Sequence, residues 1–207
     1  MLLRHGQPDV SIIDGTEQLL ALSASGRYHL NLARDGKGLD VRVFGGKYLD
    51  NSTNHPRYNW RMDGTSGYYD YTYDELYFGR VQGDGLWRQQ VVLNQGGFKV
   101  PTAVGQSNDW IAALNLELQF PIDFPLALFA DIGTSSTLQQ GEDNLIFSGG
   151  VMLPLASSVM EVYIPLVYSA AIRRSLEAND TRFVETIRFR FNIAALDPKR
   201  NLNSFFE

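Results

Sequence analysis

Cysteine is absent from the 207 residues, which excludes disulfides and thiolate metal sites. Long apolar runs are missing as well: none approaches the roughly 20 residues that a membrane-spanning helix needs. Histidine occurs only as His5, His29 and His55, with no HExxH helix and no metal-ligand spacing. Positive charge is scarce, with 18 Lys+Arg against 23 Asp+Glu, a net charge of −5. Nucleic acid is therefore excluded as a partner, because phosphate backbones call for concentrated Lys and Arg. The first ten residues, MLLRHGQPDV, have no apolar core of signal-peptide length. The expectation is that the chain is cytosolic or that its signal lies upstream of Met1.

Motifs that carry chemistry are missing in the same way. No GxSxG elbow and no paired Ser/His arrangement occurs. Gly96 and Gly97 lack the spacing and the following Lys-Ser/Thr of a phosphate loop. Asp70, Asp74 and Glu75 do not form the DxDxDG calcium signature and read as solvated carboxylates at a strand end. The triplets at Asn51 and Asn179 match a glycosylation acceptor but are too common to carry weight. Catalytic, cofactor-binding and metal-ligating residues are thus all assigned as none, and no enzymatic activity is expected of the chain by itself.

What the sequence does contain is alternation and aromatic side chains, with 10 Tyr and 12 Phe. From Trp110 the apolar residues fall on every second position: Trp110, Ala112, Leu114, Leu116, Leu118, Phe120. Between them lie Ile111, Ala113, Asn115, Glu117 and Gln119, which grow polar along the segment. A period of two is a strand with one apolar and one wetter face. Pro121–Phe124 breaks the pattern and Pro125–Gly133 begins a second apolar run, so the two strands are antiparallel neighbours.

The same reading predicts strands over 19–33 and 39–49, joined by a tight turn at Arg34–Gly38. Further strands are expected over 68–80, 86–93, 144–153, 159–168 and 183–194. A helical piece is expected within 169–181, where Ala170, Ala171, Ile172, Arg173, Arg174 and Leu176 suit a helix. Connections alternate between short and long along the whole chain. That rhythm belongs to an up-and-down outer-membrane barrel, with tight turns on one rim and long loops on the other.

The expected fold is therefore all-β: an antiparallel up-and-down transmembrane barrel of about 8–10 strands, or a portion of a larger one. Nine strands are counted. A tenth, needed for an even number, is sought in residues 8–14 or before Met1. Residues 1–18 form an N-terminal segment, 19–196 the barrel and 197–207 a polar tail. Trp110, Phe120, Tyr163, Tyr168 and Phe183 are taken as interfacial girdle residues. Glu117, Glu161, Arg188 and Arg190 are assigned to the lumen as a charge ladder, because Arg or Lys at the bilayer midplane costs about 2–4 kcal/mol. Alternation alone does not say which face is wet, so a soluble β domain that binds a ligand or partner through its long loops stays open.

Four stretches carry a resemblance: TYDELYFGR (Thr72–Arg80), GGFKVPTAVGQSNDWIAALNLELQFP (Gly96–Pro121), PLALFADIG (Pro125–Gly133) and VMEVYIPLV (Val159–Val167). The chain resembles the C-terminal outer-membrane β-barrel region of envelope proteins with an upstream gluzincin-type aminopeptidase domain. More distantly, its LFADIG and VYIPL strands are similar to the last hairpins of BamA-like surface-antigen barrels. The resemblance implies a bacterial outer-membrane location, lipid as a partner, and an upstream peptidase domain of the same polypeptide. The zinc-binding HExxH would belong to that upstream domain, and no position here matches it. POTRA domains, on which BamA-like proteins rely, are not present in this chain. The implied role is a membrane-embedded module that anchors or guides the upstream domain; a small pore or translocation barrel is the alternative. Glu207 after Phe205-Phe206 departs from the aromatic terminal residue usual in such barrels.

Overall fold

The computed structural model describes residues 19–191, apart from 34–36, 53–55, 65–69, 71–74, 81–85, 121–124, 142 and 156–158. The strand sought in residues 8–14 and the tail from 197 lie outside the described residues, as do Asp74, His5 and His55.

Seven strands form one antiparallel sheet in strict sequence order. They are β1 (Leu19–Asn31), β2 (Gly38–Asn51), β3 (Trp110–Gln119), β4 (Ala127–Ser135), β5 (Ile146–Leu155), β6 (Met160–Tyr168) and β7 (Arg188–Phe191). The sheet curls into a half-barrel, and β1 and β7 are its two edges. Residues 32–37, 120–126 and 156–159 make the short connections on one rim, and residues 52–109, 136–145 and 169–187 make the longer ones on the other. The longer ones carry α1 (Ser136–Gln139), α2 (Ala170–Ala178) and α3 (Phe183–Thr186). Among the described residues no helix is long and apolar enough to cross a membrane, which is a statement about helices alone.

The described residues of two expected strands, 68–80 and 86–93, form no strand. Residues 75–80 have no strand pairing, and Leu86–Gln89 is a turn of 3₁₀ helix. The aromatic density of this stretch mimics strand propensity, but its backbone is engaged singly. Gln90 makes one parallel bridge with Phe189, and the Val91 amide donates to the Phe189 carbonyl at 2.8 Å. The predicted strand 183–194 is likewise divided, with α3 occupying its first turn. In that turn Arg182 and Glu185 bond reciprocally, and Thr186 Oγ1 donates to the Phe183 carbonyl at 2.7 Å.

Period-two patterning sorts the strands into two faces, one buried under the long connection and one that is apolar although exposed. The concave face takes Arg42, Phe44 and Tyr48 of β2, Ile111, Ala113 and Asn115 of β3, and Phe129 and Asp131 of β4, all buried. The convex face takes Val43, Leu128, Phe147, Leu166 and Val167, all exposed. Within β2–β6 the charged residues of the convex side are Lys47 and, through the register shift beyond Tyr48, Asp50.

The concave side is filled by the long connection between β2 and β3. Segments 60–64 and 96–98 run side by side there: the Phe98 amide donates to the Met62 carbonyl at 2.9 Å and the Gly96 amide to the Arg61 carbonyl at 3.0 Å. Trp60 stacks on Tyr48 at 4.8 Å and meets Phe44 edge-on at 5.8 Å. Met62, Phe98 and Val100 join Ile111, Ile146 and Leu138 in the main apolar cluster, which α2 closes with Ile172 and Leu176. The connection comes close at Gly133 of β4, where a Cβ would stand 2.7 Å from Met62 Sδ and 3.0 Å from Phe98 Cε1.

Candidate functional site

Below the apolar cluster, toward the short-connection rim, the concave face turns ionic. Lys99 is fully buried and reaches across the strands from the long connection. Its Nζ lies 2.7 Å from Asp131 Oδ1 of β4 and 3.3 Å from Glu117 Oε1 of β3. Its own amide also donates to Asp131 Oδ2 at 3.0 Å. Asp131 further accepts from Asn115 Nδ2 at 2.9 Å and Ser148 Oγ at 3.3 Å. A fully buried carboxylate survives only with such a complement of donors. Lys99 also lies 5.6 Å from the Phe129 ring centre and 5.8 Å from that of Tyr163, which shield the pair with π-faces.

A second group continues along the rim. Tyr163 donates its hydroxyl toward Glu161 Oε2 at 2.6 Å and Glu117 Oε1 at 3.2 Å. Arg190 sets Nε 2.7 Å from Glu161 Oε2 and donates from Nη2 to Oε1 at 3.0 Å. That pair follows from register, since Glu161 and Arg190 are direct cross-strand partners. On the other side Arg42 donates to Asn115 Oδ1 at 2.6 Å and to the Gln95 carbonyl at 2.8 Å. Gly97, at φ +66°, comes so near that a Cβ would stand 2.7 Å from Arg42 Nη1. Only glycine holds this backbone shape without cost.

All four residues assigned to the lumen from sequence lie on the concave face, but they do not form one continuous ladder. Arg190 binds Glu161, whereas Glu117 is bound by Lys99 and Tyr163. Arg188 is buried elsewhere and donates to the Gln89 carbonyl at 3.2 Å. Of the girdle candidates, Tyr163 is fully buried on the concave side, and Tyr168 packs against the main cluster. Trp110 alternates onto the convex face, and Phe183 is exposed in α3. The residues missed from sequence are Lys99, Asp131 and Arg42. One signal for Asp131 was present: a single carboxylate inside the apolar run LFADIG needs a buried partner.

Within the network Lys99 and Arg190 are bonded to the carboxylates Glu117, Asp131 and Glu161. His29 lies at the exposed β1–β2 hairpin, with its ring nitrogens 2.9 Å from Asp40 Oδ1 and 2.9 Å from Asn31 Oδ1. Asp70 is held by Arg80 at 2.7 Å. Among the described residues no group of three His, Cys, Asp or Glu could hold a metal ion. What the network can do is fasten: its cations and carboxylates come from β2, β3, β4, β6, β7 and the long connection, so it ties the connection to the wall. Outside the strands, the Arg182 side-chain bonds hold the exposed Glu185 carboxyl below its ordinary range. Compared with known families, with characterised proteins and with solved structures, the chain matches none.

Proposed function

We propose that the chain is the membrane-embedded β-barrel module of a bacterial outer-membrane protein, non-catalytic itself, which anchors or guides a domain upstream in the same polypeptide. One observation carries this reading: the convex face leaves Val43, Leu128, Phe147, Leu166 and Val167 exposed, while Glu117, Asp131, Glu161 and Arg190 lie on the concave one. Lipid accepts such a face, while water penalises it at about 25 cal/mol per Å² of apolar surface. The sorting of connection lengths by rim supports the same reading. The anchoring role rests on the resemblance of the four stretches named above. The filled concave side weighs against an open pore, since Met62, Phe98, Lys99 and Val100 occupy the space a channel would need.

The test is purification with and without detergent, followed by reconstitution into a planar bilayer. The expected outcome is a chain that stays dispersed only in detergent or lipid, migrates differently in SDS before and after boiling, and conducts no steady current. A monodisperse monomer in plain buffer would overturn the membrane reading. Steady conductance would replace the anchor with a pore.

A further inference from the structure

The concave face sets two like charges in direct register. Arg27 of β1 and Arg42 of β2 are cross-strand partners, and directly opposed residues share a face with Cβ atoms about 4.5–5.5 Å apart. Like charges so placed destabilise a sheet, and an anion between them would reverse the sign.

The two side chains are ready for one. Lys99, Arg61 and Arg190 each hold a carboxylate, at 2.7, 3.2 and 2.7 Å. Arg42 does not, although it is only 8% exposed. Its hydrogen bonds go to neutral oxygens of Asn115 and Gln95, and its guanidinium carbon lies 5.4 Å from the Phe44 ring centre. Those contacts, with Gly97 close against Nη1, fix the guanidinium without neutralising it. Arg27 is exposed, and no hydrogen bond or ion pair engages it among the described residues. Carboxylates of the same face are already committed: Asp40 to His29, Glu117 to Lys99 and Tyr163, Asp131 to Lys99 and Asn115.

We propose that Arg27 and Arg42 form a binding site for a phosphate group, either free phosphate or the phosphomonoester of a lipid headgroup. Two guanidinium groups match the two negative charges of that group near neutral pH, and each can donate paired N–H bonds to its oxygens. A carboxylate would balance only one of them. Arg27, exposed on β1, is the member that a ligand meets first, and Arg42 lies beneath it against the long connection. The inference does not depend on what covers the convex face.

The test is thermal unfolding of the folded chain in detergent at constant ionic strength, titrated with inorganic phosphate against chloride, and in parallel with a short-chain phosphatidic acid. Wild type is expected to show a midpoint that rises and saturates with at least one of the two; which one identifies the source. Arg27→Gln should weaken that response about tenfold or more, the loss of a charged hydrogen-bond donor. In chloride Arg27→Gln should melt no lower than wild type, because a repulsion has been removed. Lys47→Gln, on the convex face, should keep the full response. The proposal is overturned by the absence of any saturable response, by an equal response in Arg27→Gln, by loss of response in Lys47→Gln, or by a lower melting midpoint for Arg27→Gln in chloride.

Discussion

Lys99 sits where no water reaches it, with its ammonium between carboxylates of two neighbouring strands. Removing one member of a buried ion pair leaves the other charge stranded, at a cost of about 3–5 kcal/mol. Lys99→Met should therefore lower unfolding stability by that order, and adding Asp131→Asn should restore part of it. Denaturation of the folded chain in detergent measures both; a single-variant loss below about 1 kcal/mol would contradict the clamp assigned to this pair. The residue was hidden in the sequence for a physical reason. It lies in Gly96–Val100, where no period-two or 3.6-residue pattern marks a face, so nothing local says that its side chain is buried. Glu161 and Arg190 were easier to place, because alternation within β6 and β7 puts each opposite an apolar neighbour.

Elements were legible where one face is uniformly apolar. The reading of β3 and the hairpin to β4 rests on Trp110–Phe120, and β3 is observed over Trp110–Gln119. Helix α2 follows from Ala170–Leu176 and is observed over Ala170–Ala178. The described residues of 68–80 and 86–93 form no strand, because β-branched and aromatic propensity reports a fit to a half-buried surface, not a pairing partner. In the described part of that stretch Phe78 does meet such a surface, with its ring 4.7 Å from that of Phe191, yet no ladder forms. The contact between β4 and the long connection gives a test at this scale. Gly133→Ala would drive a methyl into Met62 and Phe98, and overpacking of this kind costs about 1–3 kcal/mol. Gly45→Ala on β2 meets nothing within 4 Å and should be neutral or slightly stabilising. Equal melting midpoints for the two variants would mean that the connection does not press on β4.

At the scale of the whole molecule, the exposed apolar face makes the strongest claim. Val43 is 54% exposed on the convex side of β2, and on a water-facing surface an arginine there would change stability by no more than about 0.5 kcal/mol. On a lipid-facing surface near midplane the same change costs about 2–4 kcal/mol. Val43→Arg, measured by reversible unfolding in lipid vesicles, is expected to show the larger value; a near-zero change would remove the lipid-facing assignment. The alternation of connection lengths holds between the seven observed strands, because residues 68–80 and 86–93 both lie inside one long connection and leave its rim unchanged.

Six successive antiparallel pairings give β1 and β7 the same polarity. Two such units placed head to tail in a ring would meet at seams where both chains travel the same way, with the slanted bonds of a parallel ladder. A cylinder with every seam alternating needs an odd number of additional strands across the gap. A second copy brings seven, an odd number, but it alternates with the first at both seams only when turned end over end, β7 against β7 and β1 against β1.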